Sequence, residues 1–225
     1  METREHISNG ANLKRQKSGR NFSISYVLVA FMMLIFAVCK KNPLPEEDFI
    51  IIEDNPTSFV VKAYNVDVGG REIDSVKVQL HSAVNTSLPN IWFTSKFNNG
   101  GFEMSFPVTI PDAYLSSLSK PADGISISDM QAKIRRITLV TFNSTDRAIG
   151  WCNFRNDNSD VSFEFVYADR SYTMKGINNG NEYNCTFKKG WNIEYHAFIE
   201  KTSKNIYNTV KPNTVKFKCF VENVN

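Results

Sequence analysis

The sequence predicts an all-β protein: two tandem antiparallel β-sandwich domains behind an N-terminal apolar signal segment. Three observations predict it. Beyond residue 58, apolar and polar residues alternate in short runs, which places every second side chain on a buried face. Gly, Asn, Asp and Pro break the runs at close intervals, as turns between strands require. No helical crossover separates the runs, so a parallel sheet is not expected.

Residues 1–39 read as a signal or anchor segment. Lys14, Arg15, Lys17 and Arg20 precede an apolar run from Phe22 to Val38, in which Ser23 and Ser25 are the clearly polar members. A cationic stretch followed by an apolar one is the pattern of an export signal, and the run falls slightly short of the roughly 20 residues that a spanning helix prefers. Cys39 closes it and is followed by Lys40-Lys41-Asn42-Pro43. This resembles a bacterial lipoprotein signal, in which the cysteine is lipidated and becomes the new N-terminus. An uncleaved signal anchor is the alternative: positive charge before the segment, with Glu46, Glu47 and Asp48 after it, leaves the N-terminus inside. Both readings place the rest of the chain outside the cytoplasm, in the cell envelope, membrane-anchored and facing the periplasm or the exterior.

Residues 40–57 read as a tether, stiffened by Pro43, Pro45 and Pro56. Residues 58–118 form the first β-block, with runs at Phe59 to Val66, Val76 to Leu80, Ile91 to Phe97 and Phe102 to Ile110. Pro111 to Leu115 reads as one helical turn. Residues 119–129, with Pro121 and Asp123-Gly124, read as a linker. Residues 130–225 form the second block, with runs at Ile134 to Phe142, Ala148 to Phe154, Val161 to Tyr167, Tyr172 to Gly176, Glu182 to Phe187, Ile193 to Ile199 and Val215 to Val221. This is the strand density of an immunoglobulin-like sandwich.

Composition narrows the function classes. The formal charge is +3, and Arg4, Lys14, Arg15, Lys17 and Arg20 place much of the excess in the leader. The exported part is close to neutral, its lysines are scattered, and nucleic acid is not an expected partner. Of the four cysteines, Cys39 belongs to the leader, and Cys152, Cys185 and Cys219 are too few for a disulfide framework. Strand parity makes Cys185 and Cys219 core-like, and they are the candidate disulfide pair joining two sheets.

Two stretches resemble known families. Val68-Gly69-Gly70-Arg71-Glu72-Ile73-Asp74-Ser75-Val76-Lys77-Val78-Gln79-Leu80, with Asn98-Asn99-Gly100-Gly101-Phe102-Glu103-Met104-Ser105-Phe106, resembles the carboxypeptidase-regulatory or transthyretin-like β-sandwich. Glu72 and Ser75 stand where that family often has a proline and a second glycine. Tyr167 to Gly176 and Phe187 to Asn192 resemble the C-terminal half of uncharacterised lipoproteins from Bacteroides-type bacteria. The resemblances imply folds and turns, and carry over no catalytic residue.

Candidate chemistry is sparse. His81 and His196 each read as solvent-facing strand histidines without a carboxylate or cysteine at ligand spacing, so no metal site is expected. Asp157, Ser159 and Asp160 read as an Asx-rich hairpin turn, against a calcium loop that would need a distal Glu. No nucleophile elbow, phosphate-cradling loop or paired zinc spacing occurs. Trp92, Trp151 and Trp191 could form a carbohydrate-stacking platform, although strand aromatics are more often core, and Trp191 after Lys189-Gly190 reads as a strand-entry anchor. The expected function is a non-enzymatic binding or structural module of the envelope, held to the membrane and using no cofactor. A glycan or an envelope protein is the expected partner. Carbohydrate binding through exposed aromatics is the alternative, and a hydrolase would need two carboxylates converging in a cleft.

Overall fold

A computed structural model describes residues 49–223 apart from 56, 81–88 and 214. The signal segment, Cys39, His81 and most of the tether lie outside the described residues. Among the described residues no helix is long and apolar enough to cross a membrane.

The chain is all-β, as the period of two predicts. Its strands are β1 (Ile50–Asn55), β2 (Ser58–Ala63), β3 (Ser75–Leu80), β4 (Ile91–Lys96), β5 (Phe102–Phe106), β6 (Ser116–Ser117), β7 (Ile125–Ile127) and β8 (Lys133–Ile137). There follow β9 (Val140–Phe142), β10 (Ala148–Arg155), β11 (Val161–Ala168), β12 (Tyr172–Asn178), β13 (Asn181–Phe187), β14 (Gly190–Ile199), β15 (Lys204–Asn208) and β16 (Lys218–Asn223). The turn expected at Pro111 to Leu115 is a single 3₁₀ turn at Asp112–Tyr114. Strands β1, β2 and β5 form a small sheet, and the remainder belong to a 13-stranded sheet. Among the described strands, pairing is antiparallel except between β13 and β15, and an isolated parallel bridge joins Asp67 to Phe220 of β16.

Several strands fall where the alternation is cleanest. In β3, Val76, Val78 and Leu80 are buried while Lys77 and Gln79 face outward. Asn179-Gly180 closes the β12–β13 hairpin with φ of 46° and 81°, the left-handed pair that a two-residue turn of this hand requires. The turn after β10 is the expected Asx turn: Val161 N–H donates to Asn156 Oδ1 at 3.1 Å, Asn156 donates to Asp160, and Asp157 pairs with Lys218 at 2.8 Å.

The structure describes the end of the tether and both blocks. The end of the tether is strand β1, paired along its whole length with β2. Residues 119–129 contain β7 and do not separate one core from another, because residues 47–225 form one compact unit. Phe59 and Phe106 of the small sheet pack on Trp191 of β14, with ring centroids 5.5 and 5.0 Å away. Strand β3 pairs with β9. The Gly69-Gly70 turn of the first block is fastened to the last strand of the second, where the Arg71 guanidinium donates to the Val221 carbonyl at 2.9 Å and to Asn223 Oδ1 at 2.6 Å. A sandwich face as large as this, apolar on both blocks, is buried most fully when each block covers the other.

The large sheet carries two cores on opposite faces of β11. Phe163, Phe165 and Tyr167 face the main core, and Val166 and Ala168 face a second one with Tyr172, Cys185 and Phe187. Burial on both sides explains why Phe165 to Ala168 is a continuous apolar run, whereas Val161 to Phe165 alternates.

Candidate functional site

The hairpin of β10 and β11 pairs near its turn, at Phe154 with Phe163 and Arg155 with Ser162, and then its legs separate. The chain between β8 and β9 enters the gap. Strand β8 takes β11, with Ile137 opposite Phe165. Strand β9 takes β10, and the Cys152 N–H donates to the Leu139 carbonyl at 2.8 Å. Thr138 is therefore the tip of a wedge driven between two strands that began as a pair. A run of apolar residues from Ile134 to Phe142 looks like one strand in sequence, but changing partners midway forces a bend at Thr138-Leu139.

The wedge leaves a cleft of about 450 Å³, within the range of small-molecule sites. Its lining includes the outward-facing Trp151, Asn153, Ser162, Glu164 and His196 with Thr138, and Leu139, Phe154, Phe163 and Phe165 belong to the core beneath. Asn153 donates to Glu222 Oε1 at 2.8 Å, which fixes its amide at the rim.

Beside the cleft lies a charged cluster. Glu164 on β11 and Glu194 on β14 are direct cross-strand partners, an arrangement that like charges disfavour. Arg136 on β8 resolves it. Its Nε donates to Glu164 Oε1 at 2.7 Å and its Nη2 to Glu194 Oε2 at 2.5 Å. Burial works against the Arg136 charge, but Glu194 and then Glu164 outweigh it and hold its pKa above the ordinary arginine range. His196 joins the cluster with Nε2 3.5 Å from Glu164 Oε1, too long for a good hydrogen bond, and its ring meets Tyr207 edge-on at 4.8 Å.

His196 therefore does stand beside carboxylates, contrary to the sequence expectation. Glu194 and His196 lie two residues apart on one strand and so share a face, and that spacing was the available signal. Glu164, Glu194 and His196 offer ligand atoms within 4.8 Å of one another. A guanidinium already bridges both carboxylates, so the donor set comes with its cation built in.

The three tryptophans do not form one platform. Trp191 is 3% exposed, and its Nε1 donates to the Pro107 carbonyl at 2.8 Å, as befits a strand-entry anchor. Trp92 is 50% exposed, and Trp151 is half-buried at the cleft. These two share the outer face of the large sheet, since Gln79 pairs Trp92, Lys77 pairs Val140 and Val140 pairs Trp151.

The cysteines are also redistributed. Cys185 lies in the second core and Cys219 in the main core, so the candidate pair does not meet. The neighbour of Cys219 is Cys152, diagonally across the β10–β16 ladder. A hydrogen bond to Cys152, and burial after it, raise the Cys219 pKa. Burial, then the Glu194 charge, push the Cys185 thiol up to about 12.

No protein-family model, curated protein or solved structure matches this chain. Its site must be read from its own geometry.

Proposed function

We propose that this chain is a membrane-anchored, extracytoplasmic lipoprotein that acts as a non-enzymatic binding module of the cell envelope, with the wedge cleft as its binding site. One observation carries the reading: the cleft has a polar rim around a half-buried indole, while the second carboxylate needed for hydrolysis is out of reach. Glu194 is 1% exposed and bridged to Arg136, so it cannot touch a substrate. Glu164 is then the one carboxylate among the residues lining the cleft, the Glu222 carboxylate at the rim being engaged by Asn153, and general acid–base hydrolysis of glycosides ordinarily uses a pair. Anchoring rests on the apolar run ending at Cys39 and on the lysines around it. In the same reading the chain is a relative of the Bacteroides-type envelope lipoproteins.

The test is made on the full chain extracted from membranes. Mass spectrometry of the mature N-terminus should find acyl mass on Cys39, and panels of glycoside and peptide substrates should give no turnover. An unmodified peptide spanning Val38 to Lys40 contradicts the lipid anchor. Turnover that Glu164→Gln abolishes contradicts the non-enzymatic reading.

A further inference from the structure

We infer that the wedge cleft is a saccharide subsite, in which the Trp151 indole stacks on a pyranose face and Asn153, Ser162 and Glu164 bind its hydroxyl groups. The inference deepens the binding-module reading and rests on it.

The chemistry of the rim selects the ligand class. A pyranose presents a face of C–H groups ringed by hydroxyls, so its site needs an aromatic surface bordered by mixed donors and acceptors. The cleft combines these on one rigid sheet. Trp151 on β10 supplies the surface, Asn153 stands two residues along the same face, and Ser162 and Glu164 occupy the facing strand. An anionic ligand is disfavoured because Arg136 beside the cleft is already bound to two carboxylates, and Arg155, opposite Ser162, stands 3.6 Å from Glu222. A purely apolar ligand would strip water from the remaining donors and acceptors of the rim without replacing it.

The site is also held in place before any ligand arrives. Glu164 keeps 33% of its side chain exposed while Arg136 grips one of its oxygens, and Glu222 holds the Asn153 amide. Fixed polar groups on strands cost little ordering on binding, which favours affinity for a small polar ligand. Trp92 lies on the same face but three strands distant along β4, β3, β9 and β10, about 14 Å at a strand spacing near 4.8 Å. It is thus a natural control, being more exposed than Trp151 and outside the cleft.

Calorimetric titration of the detergent-solubilised full chain with short cello-, malto-, manno- and chito-oligosaccharides tests the inference. Binding of at least one of them is expected. Trp151→Ala should weaken it by about tenfold or more, Glu164→Gln by several-fold, and Trp92→Ala by less than about twofold. Melting of each variant is measured alongside, and Glu164→Gln preserves side-chain shape should Trp151→Ala disturb the fold. The inference is overturned if no oligosaccharide in the set binds, or if binding survives both cleft variants. A lipidated chain that turns nothing over yet binds no sugar sinks this inference and leaves the binding-module reading standing, whereas hydrolysis of the same sugars sinks the reading itself.

Discussion

Arg136 reaches Glu194 at 2.5 Å although their strands never pair, because the guanidinium passes over β11 and collects Glu164 on the way. The pair holds a fully buried carboxylate at the boundary between the cleft and the second core. Removing one partner from a buried ion pair leaves the other charge uncompensated. Arg136→Ala should destabilise the chain by about 3 kcal/mol, the low end of the usual range, because the guanidinium keeps a solvent-facing side. Arg136→Met combined with Glu194→Leu should recover most of that loss in a denaturant titration. Equal midpoints for Arg136→Ala and the parent chain would show that the pair does not hold Glu194.

Phe165 is the centre of the main core. It is 1% exposed and meets Phe59, Phe154 and Phe163 at 5.8, 5.3 and 5.5 Å, all edge-on. Phe165→Ala should cost about 3 to 5 kcal/mol, the transfer and cavity terms of a large aromatic. Because Phe59 belongs to the small sheet, that loss should appear as one cooperative transition for residues 49–223, and two separate transitions would restore an independent first domain.

Gly176 stands where β12 passes β7. Its φ is 134°, and a Cβ there would overlap the Gly124 carbonyl oxygen, while Ile177 N–H donates to that same oxygen at 3.1 Å. Gly176→Ala should cost at least about 1 to 3 kcal/mol, from the backbone conformation and the clash together. Amide exchange at Ile177 should quicken before that in β11, and unchanged exchange there would mean the strands can move apart freely.

The thiols give a pH signature. Cys185, Cys219 and Tyr172 all have pKa values raised in the folded state, Cys185 to about 12 from 9.0. The native state then binds more protons than the unfolded one in the alkaline range. Stability should therefore be full below about pH 8.5, the thiol's ordinary range, and fall as pH climbs toward 12. Diagonal strand neighbours sit roughly 7 to 8 Å apart, wider than a disulfide spans without backbone movement. Cys152 and Cys219 should thus remain thiols, alkylated after unfolding and protected before it. A reductant-dependent melting temperature would contradict this.

The strands of this fold were legible where one face alone is buried, as in β3 and β10, since the period of two then survives in the sequence. Strand β1 was hidden by the prolines and acids around it. Strand β15, Lys204 to Asn208, is too polar to signal burial, and its parallel pairing with β13 depends on the register between distant chain segments. The wedge could not be read at all. Ile134 to Phe142 looks like one continuous strand, and only the competition of β10 and β11 for partners bends it at Thr138. The cleft residues follow from that bend, which is why Trp151 was nameable from sequence while Arg136 and Glu164 were not.

Hydroxyl-radical footprinting of the chain in intact envelopes, compared with the same chain purified in detergent, tests the central claim that the wedge cleft is where this protein binds. Trp151 and Trp92 each report separately, by mass spectrometry of their peptides. Oxidation of Trp151 should fall sharply in the envelope while that of Trp92 changes little. Equal oxidation of Trp151 in both preparations would contradict it.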